Sequence, residues 1–238
     1  MTDARTPADA RSTSELLLEL GRDREAVAAA TRELRTNERR GPMDGVQQLD
    51  EIVPTLQALV RRITPEQLGQ ATPCANFNVA GVLEHMIGGA TAFAPAFRGE
   101  PASAEPASAG AGSSGDRTPQ ERFHHAMADL LDAVHAPDAQ ARTIASPFGE
   151  VPGSVFARYV AFDGLVHGFD LATATGQAYA PDEAMVAEVD AFARGLLQPE
   201  MRDGDTFAAE TEAPADSTPL ERVVAFAGRR IQRGEAGR

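Results

Sequence analysis

The chain has 238 residues and a formal net charge of −13, with 35 Asp and Glu against 22 basic residues, every one of them Arg. Residues 1–42 carry eight Arg and eight acidic residues, so the acidic excess falls on the rest, which disfavours nucleic acid or an anionic membrane as partner. A single cysteine excludes an intramolecular disulfide and no apolar run reaches membrane-spanning length, which together predict a soluble cytoplasmic protein.

Residues 1–42 read as a peripheral N-terminal extension, and whether Met1 or Met43 is the true start stays open. From Val46 a clear amphipathic helix begins, with Leu49, Ile52, Val53, Leu56, Leu59, Val60 and Ile63 at steps of three and one; Pro54 lies inside it. Thr64-Pro65 opens a short connector. A second helix starts at Asn78, a candidate N-cap, and buries Val79, Val82, Leu83, Met86, Ala90, Phe93 and Phe97. His85 lies off that face among Gly81, Gly89 and Ala92, which leaves room beside its ring. Ahead of this helix, Cys74 is a candidate nucleophile or a packing residue. No basic neighbour in the local sequence activates it, so packing is the favoured role.

Residues 100–118 contain EPASA twice in tandem and then GAGSSGDRT, the composition of a flexible surface loop. Both this loop and residues 1–42 are expected to be dispensable for folding. A third helix runs from Pro119, with Phe123, Met127, Leu130, Leu131 and Val134 inward. His125 points away from that face, and His124 and His135 sit at its edges as weak ligand candidates. RTIASPFGEVPGS then predicts an extended or hairpin-like excursion.

The fourth helix, 154–176, organises the chain. Phe156, Tyr159, Val160, Phe162, Val166 and Leu171 share one apolar arc, with Ala161, Gly164, Gly168 and Ala172 opposite. Asp163, His167 and Asp170 fall within about 60° of one another inside the apolar arc. Two carboxylates and an imidazole turned into a core are costly unless paired or metal-bound. The i, i+4 spacing stacks Asp163 under His167, so one helix can offer two ligands to one ion; a satisfied core histidine beside a capping aspartate is the alternative. Past Gly176, Pro181 starts a fifth helix, Asp205–Glu212 reads as a short strand, and Pro219–Arg230 as a final helix with a frayed tail.

Four motifs occur in order: T-P-C-x-x-F-x-V-x-x-V-L-x-H at 72–85, GEVPG at 149–153, D-x-x-x-H-G-F-D-L-A at 163–172 and AFAGR at 225–229. With them the chain resembles the actinobacterial branch of the DinB-like superfamily, near the metal-binding domain of mycothiol-dependent maleylpyruvate isomerase. The resemblance covers roughly residues 43–230. It implies a mainly all-α fold, an up-down four-helix bundle over 43–178, followed by a small C-terminal extension over 179–238. It implies a single divalent metal, zinc first and nickel or another ion as alternatives, held by His85, Asp163 and His167. Asp163 stands where the isomerase has Glu, and Phe77 and Phe169 stand where relatives often have Trp.

Two imidazoles and a carboxylate leave coordination positions open, the pattern of a catalytic site. Asp170 then serves either as the acceptor that fixes an imidazole tautomer or as a local helix-end residue. The function this implies is a metal-dependent transferase or isomerase with mycothiol as cosubstrate and a small-molecule substrate, in a monomer or homodimer. The alternatives are a tailoring enzyme for a natural product or xenobiotic that uses no thiol, and a non-catalytic metal- or ligand-binding protein.

Overall fold

The computed structural model describes residues 43–100, 117–146, 149–197, 199–202 and 207–231. The expectations for residues 1–42, most of the 100–118 loop and the terminal tail lie outside the described residues. Four long helices bring their apolar stripes together: α1 (Gly45–Val60), α2 (Val79–Arg98), α3 (Pro119–Val134) and α4 (Gly153–Thr175). Their boundaries have local chemical causes. Asp44 caps α1 and Thr118 caps α3, each in a reciprocal capping box, with Gln47 and Glu121 respectively reaching back to the cap backbone. Asn78 caps α2 by accepting from Gly81 N at 2.8 Å, as its sequence position predicts.

Phe97, Phe123, Phe156, Phe162, Leu49, Ile52, Leu56 and Leu83 are among the largest fully buried side chains, so the core runs along the bundle axis. Removing a buried side chain of this size typically costs about 2–5 kcal/mol. The predicted four-helix bundle is therefore the observed architecture. The segment between α3 and α4 is a two-stranded antiparallel hairpin, β1 (Thr143–Ser146) against β2 (Gly149–Pro152), in register Thr143 to Pro152. It latches the start of α4, since Gly153 N donates to Arg142 O and Ser154 N to Gln140 O.

α4 is buried around nearly its whole circumference. Its small-residue side is no solvent face. A Cβ on Gly164 would stand 3.2 Å from Ile52 Cγ2, and one on Gly168 would stand 2.9 Å from Leu56 Cδ2 and 2.5 Å from Tyr179. These glycines let α1 and Tyr179 approach the α4 backbone. Its other flank receives α5 (Glu183–Leu196), where the guanidinium of buried Arg158 lies 5.1 Å from the Phe192 ring centre. α5 begins with Asp182 as N-cap, one residue after Pro181.

Over its described part, 207–212, the segment expected as a strand is irregular. Its Thr211 N–H goes to Ala225 O at the end of a helix rather than to a strand partner. The final helix, α6 (Pro219–Phe226), stops short of the expected Arg230 for a clear reason. Gly228 turns left-handed at φ 87°, Gly228 N donates to Ala225 O and Arg229 N to Val224 O, which is a Schellman ending. A Cβ on Gly228 would stand 2.6 Å from Ala208 Cβ, so glycine is required there twice over. Among the described residues no helix is long and apolar enough to cross a membrane.

Candidate metal centre

Three helices and one loop converge at one end of the bundle. The loop before α2 is held by Thr72, whose hydroxyl donates to Phe77 O at 2.7 Å and accepts from Cys74 N at 3.2 Å. Val79 N on Gln70 O and Ala80 N on Leu68 O tie the loop to the helix start. This arrangement sets the Phe77 ring on His85, stacked at 5.3 Å between centroids, and edge-on to His167 at 6.4 Å. The two imidazoles lie 4.9 Å apart.

His85 from α2 therefore meets Asp163 and His167 from α4, as the spacing and the resemblance imply. Nε2 of each histidine lies 3.5 Å from the same oxygen, Asp163 Oδ1. One donor atom from each of the three residues lies within 4.8 Å of the others. A tetrahedral zinc site with bonds near 2.05 Å has donor–donor edges of about 3.3 Å, so the two histidine–aspartate edges of 3.5 Å are already close to it, while a wider edge of up to 4.8 Å has to close to hold an ion. His167 Nδ1 is 2.9 Å from Asp170 Oδ2, and Asp170 is wholly buried within α4, not at its end. A carboxylate there accepts a hydrogen bond from Nδ1–H, the tautomer that turns the Nε2 lone pair toward Asp163. Two imidazoles and one carboxylate oxygen are a donor set that fits a divalent ion.

Asp170 is itself held from the far end of the chain. Arg229 Nη2 donates to Asp170 Oδ2 at 2.8 Å, and its Nη1 donates to Ala227 O. The Schellman turn at Gly228 delivers this guanidinium, which gives the AFAGR motif a physical meaning: glycine for the turn, arginine for the carboxylate behind His167. Burial opposes the Arg229 charge, but the Asp170 hydrogen bond and charge more than offset it and hold the guanidinium above its usual value.

Asp163 feels the same competition. Burial pushes its carboxyl up, yet His167, the hydrogen bond from His85 and Arg229 together hold it down at about 2. Burial pushes the His85 imidazole down, and the Asp163 hydrogen bond and charge outweigh it, so the ring sits above its ordinary value. Tyr159, in the same cavity wall as Asp163, is pushed up by burial and then by the Asp163 charge, so it meets any ligand as a neutral phenol.

The trio looks onto a cavity of ≈ 280 Å³ whose wall includes Cys74, Asn76, Phe77, Tyr159, Phe207 and Arg229. Cys74 lies in the cavity wall, which Arg229 lines from the other end of the chain. Arg229 and Tyr159 are the wall residues that sequence reasoning left without a role; the AFAGR motif was the available signal for the first. Phe77 lies at the centre, whereas Phe169 packs at the edge of the hydrophobic core. Of the weaker candidates, His125 is exposed, His124 packs edge-on to Phe123, and His135 Nε2 pairs with Asp50 at 2.8 Å. None of the three joins the cluster.

Residues 49–172 match the family model of the mycothiol maleylpyruvate isomerase N-terminal domain. Two proteins of Mycobacterium tuberculosis, one from each of two strains and both described as uncharacterized, are each 33% identical to this chain over 177 residues. The alignment covers 74% of this chain and 92% of each relative. No solved structure matches significantly.

Proposed function

The chain belongs to the family of the mycothiol maleylpyruvate isomerase N-terminal domain, and from that premise we propose that it is a metal-dependent transferase or isomerase that activates a low-molecular-weight thiol. His85, Asp163 and His167 hold one divalent ion, zinc before nickel. The observation that carries this reading is the meeting of two Nε2 atoms on one Asp163 oxygen, beside a cavity large enough for a small molecule. When bound, such an ion supplies a Lewis acid that lowers the pKa of a thiol or polarises a carbonyl.

The remaining work falls to this chain's own side chains. Two neutral imidazoles and one carboxylate leave a dipositive ion with a net charge of roughly +1, so the site attracts an anionic ligand. Asp170 fixes the His167 tautomer, and Arg229 anchors Asp170. Tyr159 offers a neutral hydroxyl beside Asp163. Phe77 stacks on His85 and covers the site from the loop side, limiting the water that reaches the trio.

The test is a cobalt-substituted protein titrated with mycothiol and with simpler thiols. A sulfur ligand gives an intense near-ultraviolet charge-transfer band, which is the expected result. Stoichiometric cobalt without any such band would remove the thiol from the reading and leave a metal-binding protein. Asp163→Asn should weaken metal binding and the band together, while Asp163→Glu should keep the metal and alter activity.

A further inference from the structure

Two cavities meet at His85, Tyr159 and Asp163. The outer one is the ≈ 280 Å³ space already described. The inner one, ≈ 50 Å³, leads away from it between the four helices and is lined by Ile52, Leu56, Met86, Ala90, Met127 and Leu130 among others. Its only side-chain polar groups are those of His85, Asp163 and Tyr159, at the rim. A void with such walls holds water poorly and forfeits packing contacts the bundle could have made. Leu49, Ile52 and Leu130 along it are almost wholly buried, so it is an interior feature of the bundle and not a surface dimple. Two of its wall residues are methionines, whose unbranched side chains adapt to different shapes.

We infer that this inner cavity receives the apolar end of the substrate, whose polar head faces the metal trio. The substrate class is then a small molecule with a metal-directed head and a short, unbranched hydrocarbon tail. The inference rests on the proposed metal site and adds a specificity pocket to it. Liquid water occupies about 30 Å³ per molecule, so the ≈ 50 Å³ cavity takes a tail of roughly two methylene-sized groups.

Straight-chain alkyl hydroxamates provide the probe, because the head binds a divalent ion and the tail can be lengthened one carbon at a time. The full chain loaded with zinc is titrated calorimetrically with the series from acetohydroxamate to octanohydroxamate. Affinity is expected to rise about three- to fourfold per methylene over roughly the first two additions and then level off. Affinity independent of chain length overturns the inference and leaves the metal site standing. Failure of every member to bind, acetohydroxamate included, overturns the metal site and the inference with it. In Ala90→Leu the added side chain fills the cavity, so the ratio of long-chain to acetohydroxamate affinity should fall toward one. In Met127→Ala the plateau should move to longer tails, and this variant decides the matter if Ala90→Leu does not fold. A length dependence unchanged in the folded variants puts the tail in the outer cavity and overturns the inference.

Discussion

The molecule contains two places where a histidine meets an aspartate, and the closer pair is the lesser one. On the surface His135 Nε2 lies 2.8 Å from Asp50, with half of the His135 side chain exposed. In the cavity, His85 and His167 each lie 3.5 Å from Asp163, a longer distance for both. The difference is what stands behind each contact. The surface pair is joined by no second imidazole and is screened by water, which makes it worth little. The trio in the cavity wall, of which His167 is buried, Asp163 half-buried and His85 exposed, has a second ring, a fixed tautomer through Asp170, and Arg229 behind Asp170. Convergence of several groups with support behind them, and not proximity alone, turns titratable side chains into a site.

The strongest way to break this comparison is to delete ligands. His167→Ala and His85→Ala should each reduce metal from about one ion per chain to background, as measured by plasma mass spectrometry, while His135→Ala keeps it. Equal retention in all three variants would erase the distinction.

Next in size is the support behind the ligand. Asp170→Asn leaves the Arg229 guanidinium, 11% exposed, without its carboxylate. A loss of about 3 kcal/mol in urea unfolding is expected, with metal affinity weakened about 10- to 100-fold. Wild-type stability and affinity in this variant would mean that the relay contributes nothing.

A smaller effect concerns pH. Asp163 titrates at about 2 in the folded chain against 3.8 ordinarily, so its contribution is complete above the ordinary value and is lost as pH falls toward 2. The His85 imidazole is raised above 6.5, so its contribution is complete below that value and is lost as pH rises through the raised one. The metal-free chain thus draws most from this pair in the window between the two ordinary values. Zinc must displace the His85 proton, so the zinc-induced rise in Tm should grow from about pH 6 to about pH 8. A rise that shrinks over that range would contradict the assignment. Smallest of all, Asp50→Asn should change stability by no more than about 0.5 kcal/mol and leave metal content alone.

Much of this was legible in the sequence because it is written along single helices. The steps of three and one in α1 gave its buried face, Asn78 gave the start of α2, and the buried polar line of α4 drew attention to Asp163 and His167. His85 stood out through its small neighbours, and the ordered motifs tied it to α4. What depended on distances between elements was hidden. Cys74 and Arg229 share a wall only because the chain returns after α5. The segment 207–212 has strand-like residues but finds its partner at the end of a helix. The inner cavity is a property of four helices together, and no periodicity in one of them announces it.

The glycine side of α4 has a consequence for the order of assembly. Glycine inside a helix costs about 1 kcal/mol relative to alanine, and α4 carries Gly164 and Gly168 between its two histidine-trio residues and Asp170. The segment therefore has weak helicity of its own and takes its shape from the partners that press on those glycines, α1 and Tyr179. A peptide of residues 153–176 should show little helix by circular dichroism. Asp163 and His167 then become neighbours only once the bundle has closed around them, so an ion bound there would arrive at a finished cradle and would not template one. Metal supply would limit the activity of the folded protein, not its yield.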